Sequence, residues 1–449
     1  MDHKARILII TLEPISAKMA GPAIRAVMLG KTIADQYDCA IFSPTLTPDA
    51  PPLSPDAHGK AEIHAGGGAS SLRKLAAQYD VLFIQANVLK PYPFLAEMGK
   101  YIIVDLYDPY LFPTLVQYEN DPVQADASYR LMHRVLEAHM LASDFAVCAS
   151  ERQRDYWIGR FCALGRIDPR MYRFDKSLRK LIDLVPYCLP ADQPQKRAGG
   201  PSLRDIQGIA PSDPVLLWGG GVWDWFDPLT PINAVGRLVS RIPHLRLVFM
   251  GTRSPNPKVP EMDMTARARR LSADLGLLDK HVFFLDGWVA YEDRLNYLLD
   301  ADIAISAHFD LPETSYSFRT RILDYLYAGL PILTTRGDEL AELIEKNGAG
   351  RALDYQDIDG WEKAIEEMVT ARAAGITDSG IRSRELSQRF LWENNAKPLL
   401  QFLQAPYHSP EHRPITMPTL IERARAVWRR GGPSLILKRS RELLDDVFK

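Results

Sequence analysis

The sequence predicts an α/β protein built from two Rossmann-like domains, with a cleft between them and a helical C-terminal tail. Its 449 residues exceed the ~250–300 residues at which single hydrophobic cores stop growing, which indicates two domains. Short apolar runs alternate with helical patterns in both halves, as parallel strands alternate with crossover helices. We predict domains at residues 1–190 and 205–392. Residues 393–449 are predicted to form C-terminal helices that return to the first domain and end in a basic tail.

The first half contains the apolar runs of one parallel sheet. Residues 6–12 form a continuous apolar run, which is typical of a parallel strand buried on both faces. We predict the remaining strands of this half at residues 39–42, 81–85, 101–105, 145–148 and 184–187. Helical spacing covers residues 21–34 and 128–142. Residues 190–214 are polar and rich in Pro and Gly, and we interpret them as the interdomain linker.

The second half repeats the alternation. We predict its strands at residues 215–218, 245–250, 282–285, 303–306 and 331–334, and late helices at residues 361–368 and 392–403. Several of these strands are followed directly by glycine, namely Gly219, Gly220, Gly221, Gly251 and Gly287. Open α/β sheets bind their ligands at the carboxyl ends of the strands. These glycines therefore mark the predicted ligand-binding edge of the second domain.

Composition and residue spacing exclude several classes of protein. The formal net charge of −2 argues against a nucleic-acid partner. The four cysteines form no C-x-x-C pair and the histidines show no H-E-x-x-H spacing, so we expect no metal site. The D-x-D sequence formed by Asp357 and Asp359 is interpreted as helix caps. No apolar run approaches the ~18 residues of a membrane span, and we expect a cytoplasmic protein.

The strongest site signal is a helical pattern that follows the fourth strand of the second half. Ser317 is placed to cap the start of this helix. The backbone amides of Phe318, Arg319 and Thr320 would then point out of the helix start, where they suit a diphosphate. Asp324 lies further along, where a carboxylate can accept hydrogen bonds from a ribose diol.

Two arginines add positive charge to this helix start. We predict that Arg319 contacts phosphate, and a structural ion pair with an acid is the alternative. Arg321, two residues later, supplies a second fixed charge.

This region resembles a known family. The sequence SFRTRILDYLYAGLPIL is similar to the E-x(7)-E region of the retaining glycosyltransferases of family 4, which have the GT-B fold. Asp324 stands where that motif has its second Glu, which implies the ribose contact. Tyr316 stands at the position of the first Glu. The resemblance therefore leaves Glu313, the nearest carboxylate, as the catalytic residue that reaches the donor sugar.

The resemblance covers most of residues 6–405, including KMAGPAIRAVMLGKTIAD, VDLYDP and CASERQRDYWIGRF, which resemble a bacterial surface-polysaccharide subset of the family. It implies a nucleotide diphosphate sugar as donor, a glycan or polyprenyl-linked acceptor, and transfer with retention. It implies no cofactor and no metal. Two alternatives stay open: a catalytically inactive GT-B scaffold of a polysaccharide assembly, and a nucleotide-sugar epimerase.

Four further residues of the second domain are predicted to bind the donor. Gly220 and Gly221 allow the backbone to approach the diphosphate closely, although a plain tight turn is the alternative. Arg253 is predicted to contact phosphate, and its alternative is a solvated surface charge. Trp288 either stacks beside the base or belongs to the core.

The first domain contributes residues from two loops that face the same cleft. Gly21 opens a helix after the first strand and permits close approach of the donor, and Arg25 lies one turn further on, where it could meet an anionic group. Asp105 and Asp108 follow a later strand, and we predict that Asp108 holds a sugar hydroxyl. The alternative for Asp108 is an ordinary turn residue before proline.

The C-terminal tail is basic and amphipathic. Residues 419–430, TLIERARAVWRR, place apolar and basic side chains on different helix faces. This pattern predicts peripheral contact with the anionic inner face of the cell membrane, which would suit a polyprenyl-linked acceptor. The alternative is that the tail packs on the first domain.

Overall fold

A computed structural model describes residues 4–46, 51–85, 87–256, 259 and 262–410 of the chain. These residues form two α/β domains, each built on one parallel sheet. The predicted basic tail, with its amphipathic pattern, lies outside the described residues. Among the described residues, no helix is both long enough and apolar enough to cross a membrane.

The first domain contains a seven-stranded sheet in the order β3-β2-β1-β4-β5-β6-β7, and all its strand pairs are parallel. The strands are β1 (Ile7–Ile10), β2 (Cys39–Ser43), β3 (Glu62–Ala65), β4 (Val81–Gln85), β5 (Tyr101–Asp105), β6 (Phe145–Cys148) and β7 (Ile182–Leu184). The helices are α1 (Gly21–Ala34), α2 (Pro55–His58), α3 (Ala69–Ala76), α4 (Leu111–Gln117), α5 (Pro122–Ala142), α6 (Glu151–Ala163) and α7 (Pro169–Phe174).

The second domain contains a six-stranded parallel sheet in the order β10-β9-β8-β11-β12-β13. The strands are β8 (Val215–Gly221), β9 (Arg246–Gly251), β10 (Val282–Phe284), β11 (Ile303–Ser306), β12 (Ile332–Thr335) and β13 (Gly350–Leu353). The helices are α8 (Leu229–Leu238), α9 (Asp263–Asp274), α10 (Arg294–Leu298), α11 (Pro312–Tyr316), α12 (Thr320–Ala328), α13 (Glu339–Lys346), α14 (Ile358–Ala373) and α15 (Asp378–Ser387). Short 3₁₀ turns lie at Pro93–Glu97, Leu203–Asp205, Tyr291–Asp293 and Gln388–Phe390.

Each sheet is buried on both faces, as the apolar strands predict. In β1, Ile7 and Ile9 belong to one core cluster, whereas Leu8 and Ile10 belong to another on the opposite face. All four side chains are fully buried. Successive side chains of a strand point to opposite faces, so an uninterrupted apolar run requires helices on both sides of the sheet.

The end of the described chain returns to the first domain. After α15, helices α16 (Trp392–Asn395) and α17 (Lys397–Gln404) pack into the core that contains β1 and α1. Phe402 of α17 stacks on Phe145 of β6, with ring centroids 5.2 Å apart. The chain therefore crosses between the domains twice, once through the linker and once before α16.

Three strand predictions need correction. Glu62–Ala65 and Gly350–Leu353 were not predicted as strands, and the last strand of the first sheet is Ile182–Leu184 rather than residues 184–187. The two missed strands are edge strands, β3 and β13, and most of their side chains are exposed or only partly buried. An edge strand buries little surface, so its sequence lacks the apolar run by which the inner strands were recognised.

Candidate functional site

A cleft between the domains collects the predicted site residues. It has a volume of about 540 Å³, and both domains contribute to its wall at the carboxyl ends of their strands. Among the predicted residues, the following line the cleft: Gly21, Asp108, Gly220, Gly221, Trp288, Glu313, Ser317, Phe318, Arg319, Thr320 and Asp324. Residues distant in sequence therefore converge at one site, which is the geometry that a bound ligand requires.

Arg253 is the exception among the predicted residues. Its side chain is exposed and lines a small depression that adjoins the cleft and shares Gly221 and Trp288 with it. It does not contribute to the wall of the main cleft. The solvated charge, the alternative for Arg253, matches this position better than a phosphate contact.

The donor-side helix begins two residues later than predicted. Pro312 starts a separate short helix, α11, and Ser317 ends it in an extended conformation. The expected cap is therefore wrong: the Ser317 hydroxyl donates back to Glu313 instead of accepting from a helix amide. Helix α12 begins at Thr320, directly after Arg319.

Two helix N-termini face each other across the cleft. Gly21 begins α1 in the first domain and Thr320 begins α12 in the second, and neither helix has a side-chain cap. A Cβ atom added to Gly21 would lie 3.9 Å from the Thr320 hydroxyl. In the described part of the chain, the Gly21 and Ala23 amides of α1 and the Thr320 and Arg321 amides of α12 have no hydrogen-bond partner. Free amides at the positive end of a helix dipole favour an anion.

The glycine turn after β8 forms the floor between these helices. Gly220 has φ +100°, and a Cβ atom there would meet nothing within 4 Å, so the backbone lies open to the cleft. Gly219 instead packs under Tyr325, whose hydroxyl accepts from the Gly219 amide at 2.7 Å. The turn therefore leaves room for a ligand to approach the backbone closely at Gly220.

Arg319 forms a structural ion pair with an acid, which was the alternative to a phosphate contact. Its two terminal nitrogens donate to the two carboxylate oxygens of Glu313, at 2.8 and 2.6 Å. Arg319 is 5% exposed and Glu313 is 3% exposed, and Asp338 lies 3.8 Å from the Arg319 Nε atom. Burial raises the pKa of Asp338 to about 6, against the opposing charge of Arg319. Both oxygens of Glu313 are therefore engaged before any sugar binds.

Arg321 has a different environment from Arg319. Its Nη2 atom donates to the Gly221 carbonyl at 2.7 Å, and its guanidinium lies over the rings of Phe226 and Trp218, 4.3 and 5.0 Å from their centroids. Its Nη1 atom is buried and has no hydrogen-bond partner in the described chain. Burial, reinforced by the charge of Arg319, lowers the pKa of Arg321 to about 10.

Asp324 lies on the cleft wall with one weak partner. The Arg294 Nε atom donates to one of its carboxylate oxygens at 3.4 Å. Burial raises the pKa of Asp324, and Arg294 opposes this shift. Tyr187 and Tyr291 line the same part of the wall. The weakly held carboxylate can still accept hydrogen bonds from a ligand.

Asp108 enters the cleft from the first domain and makes no side-chain hydrogen bond within the described chain. Its pKa is raised to about 7, first by burial and then by the negative charge of Glu313, while Arg319 opposes the shift. A cleft carboxylate with so perturbed a pKa is typical of functional sites. Its side chain is available to a ligand from the side opposite α12.

Arg25 and Asp105 form a buried structural pair instead of facing the cleft. Arg25 donates to both Asp105 oxygens at 2.7 and 2.9 Å, and to the carbonyls of Val185 and Pro186. Both side chains of the pair are fully inaccessible to solvent. The expected contact of Arg25 with an anionic group is therefore made within the domain.

Aromatic residues at the cleft wall were missed by the sequence analysis. Trp223 and Trp225 stack with ring centroids 5.7 Å apart and planes 5° apart, and they line the cleft together with Tyr110 and Tyr118 of the first domain. The W-x-W pattern directly after the glycine turn was the available signal. Trp288 also lines the cleft, and its ring nitrogen donates to the Met19 carbonyl across the domain boundary at 2.8 Å.

The start of α6 holds the second domain against the first. The Gln153 amide donates to the carbonyls of Tyr107 and Tyr316, both at 2.8 Å. Arg152 donates to the carbonyls of Ser315 and Gly337, at 3.3 and 2.7 Å. These bonds fix the loop between β11 and α12 relative to the first domain.

Tyr316, at the position of the missing Glu, is part of this boundary. Its ring stacks on Phe112 with centroids 5.6 Å apart, and it also packs against Tyr156. The residue therefore contributes to domain contact in the place where the family motif has a sugar-binding carboxylate.

Comparison with known proteins agrees with this geometry. Residues 213–371 match the family model of group 1 glycosyl transferases. The matched residues cover most of the second domain. No curated protein sequence matches the chain. In the part of the chain that the structure describes, no three His, Cys, Asp or Glu side chains cluster as a metal site would require, and metal independence stays a prediction.

Solved structures similar to the whole described chain have the GT-B fold. Sucrose-phosphate synthase from Thermosynechococcus elongatus is 17% identical, with a TM-score of 0.60 over 89% of this chain and 98% of that one. HepE from Anabaena, solved in complex with UDP and glucose, is 15% identical with a TM-score of 0.60 over 89% and 100%. WaaG, a glycosyltransferase involved in lipopolysaccharide biosynthesis, is 13% identical with a TM-score of 0.60 over 89% and 100%. The chain therefore has the GT-B fold.

Proposed function

We propose that the protein transfers a sugar, with retention, from a nucleotide diphosphate sugar to a glycan or polyprenyl-linked acceptor in surface-polysaccharide biosynthesis. The observation that carries this proposal is the pair of uncapped helix N-termini, α1 and α12, facing each other across the cleft. Together their free amides complement a diphosphate. The complexes of HepE with UDP and glucose and the role of WaaG in lipopolysaccharide biosynthesis support the choice of substrates.

Each part of the donor has a matching group in the cleft. The diphosphate lies beside the first turns of α1 and α12, where helix dipoles stabilise the charge that develops as the sugar–phosphate bond breaks. Asp324 accepts hydrogen bonds from the ribose hydroxyls. Asp108 accepts a hydrogen bond from a sugar hydroxyl near the reacting carbon, which positions that carbon for transfer.

Glu313 has a different role from the one that the family motif implies. Because Arg319 and Ser317 occupy its oxygens, we infer that Glu313 positions Arg319 at the cleft wall and leaves the sugar contact to Asp108. The engaged Glu313 and the aromatic Tyr316 are also the observations that favour the second candidate function, an inactive GT-B scaffold that binds a nucleotide without turnover.

A turnover assay with UDP, GDP, dTDP and CDP sugars tests the proposal. We expect release of nucleoside diphosphate from at least one donor, in the presence of EDTA as well as in its absence. Nuclear magnetic resonance of the product should show the anomeric configuration of the donor. Nucleotide binding without turnover would indicate the scaffold, and an altered sugar on an intact diphosphate would indicate the epimerase.

A further inference from the structure

The arginines of the cleft differ in how their charge is compensated. The described part of the cleft wall contains three arginines, Arg294, Arg319 and Arg321, and no lysine. Arg294 pairs with Asp324, and Arg319 pairs with Glu313. Arg321 forms no ion pair with any described carboxylate within 4.0 Å, and its neighbours include two aromatic rings, the Gly221 carbonyl and the Tyr325 side chain. Arg321 is therefore the one arginine of the described cleft wall without an ion-pair partner.

The hydrogen bonds of Arg321 are also incomplete. A guanidinium has five N–H groups, and the two on the Arg321 Nη1 atom have no acceptor although the atom is buried. Leaving a buried charged donor unpaired is costly, so such groups in native structures require an explanation. Arg321 is also the second residue of α12, beside the free amides of that helix. Charge, missing acceptors and helix dipole all favour an anion at this point.

The glycine turn after β8 explains why this arginine is needed. The sequence Gly219–Val222 contains no basic side chain, so the turn approaches a ligand through backbone alone. Arg321 reaches the same turn from α12, since its Nη2 atom donates to the Gly221 carbonyl. The positive charge at the glycine turn is thus supplied by the facing helix.

We propose that Arg321 is the principal diphosphate-binding side chain of the cleft. After a small rotation of the guanidinium, its Nη1 N–H groups donate to diphosphate oxygens held between the first turns of α1 and α12. Arg319 then acts as a structural residue that keeps Glu313 and the α11 loop in place. This inference rests on the proposed function, because the diphosphate is that of the nucleotide sugar.

Binding measurements on Arg321→Gln and Arg321→Lys test the inference. The probes are UDP, GDP, dTDP and CDP, their parent nucleosides, and inorganic pyrophosphate, measured by isothermal titration calorimetry. We expect Arg321→Gln to bind nucleoside diphosphates roughly tenfold to hundredfold more weakly, because a charge-assisted hydrogen bond is lost. Its affinity for nucleosides should be unchanged. Arg321→Lys should recover part of the loss. Arg382→Gln, which removes an exposed arginine outside the cleft, should bind as the wild type does.

Thermal unfolding without ligand separates binding from folding. Because Arg321 has no carboxylate partner, Arg321→Gln should have a Tm equal to or above that of the wild type. A Tm several degrees lower, or an equal loss of nucleoside and diphosphate affinity, would overturn the inference, as would unchanged diphosphate affinity. Wild-type binding of pyrophosphate through Arg321 without any nucleotide binding would support the anion site and contradict the proposed function. Binding of neither would overturn both.

Discussion

Arg25 and Arg321 occupy comparable places in the two domains and have opposite environments. Each lies within the first two turns of a helix that starts at the cleft, α1 or α12. Arg25 is saturated, with two bonds to Asp105 and two to carbonyl groups, whereas Arg321 has a buried Nη1 atom without an acceptor. Arg25 therefore stabilises the structure of the first domain. Arg321, in the second domain, is the residue that we propose binds a ligand.

The largest expected effect is a loss of folding stability when the buried pair of Arg25 and Asp105 is broken. Asp105→Asn leaves the Arg25 charge buried without a counter-charge, and breaking a buried pair in this way costs about 3–5 kcal/mol. We expect the free energy of unfolding, from urea titration at pH 8, to fall by that amount. Asp108→Asn, which removes a neighbouring carboxylate without a side-chain partner, is the matched control and should not lower it. Equal losses in both variants would show that pairing with Arg25 does not account for the loss of stability.

The pair of Arg319 and Glu313 should show an intermediate effect. It is buried but lies at the cleft wall, so we expect Arg319→Gln and Glu313→Gln each to lower the free energy of unfolding by about 2–3 kcal/mol. The double variant should lose much less than the sum, because neither charge is then left alone. Additive losses in this double-mutant cycle would mean that the two side chains do not depend on each other, and Arg319 would again be a candidate for binding phosphate.

Asp108 links activity to pH. Its pKa of about 7 means that the ionised carboxylate is lost as the pH falls through neutrality. We expect kcat/KM to fall about fivefold to sixfold between pH 7 and pH 6 for the wild type and to stay flat, at a lower level, for Asp108→Asn. An unchanged acid limb in that variant would assign the titration to another group.

The same pKa has a consequence for stability. The raised pKa in the folded state means that Asp108 favours folding fully below pH 4, and that this contribution is lost as the pH rises through about 7. Asp108→Asn should therefore have a higher Tm than the wild type at pH 8, and the advantage should vanish at pH 4.

The smallest expected effect is on the ribose contact. Asp324 has one weak partner, so Asp324→Asn should change folding little and raise the donor KM about threefold to tenfold with kcat nearly unchanged, as loss of uniform binding does. Steady-state kinetics with saturating acceptor measure this. Asp359→Asn, on the exposed start of α14, serves as control. A drop in kcat at constant KM would place Asp324 in the transition state instead.

The inner elements of the fold were predictable because burial marks them in the sequence. Strands β4, β5, β6 and β11 and helix α1 have the predicted bounds, and each strand is an uninterrupted apolar run between two helical layers. Strands β3 and β13 were missed because an edge strand needs no such run. The capping role of Ser317 was predicted wrongly because Pro312, five residues earlier, starts a separate short helix. The Ser317 hydroxyl donates to the Glu313 carbonyl of that helix.

The sequence predicted which residues lie near the cleft better than it predicted their ion-pair and hydrogen-bond partners. Carboxyl ends of parallel strands meet at one edge, which is why Gly21, Asp108, Gly220 and Asp324 converge as expected. Which arginine is free depends on distances of a few ångströms between side chains from different elements. No local pattern in the sequence encodes that Glu313 turns back to Arg319, and the spacing of the motif alone predicted a phosphate contact for Arg319.

The hydrogen bonds at the start of α6 have a consequence for which substitutions the domain boundary tolerates. Arg152 and Gln153 bind the second domain through the carbonyls of Ser315, Tyr316 and Gly337. Every residue carries such an oxygen, so a substitution in these loops keeps the acceptor while it changes the side chain beside the cleft. Substitutions at Ser315 and Tyr316 can therefore alter the surface beside the cleft without removing these bonds between the two domains.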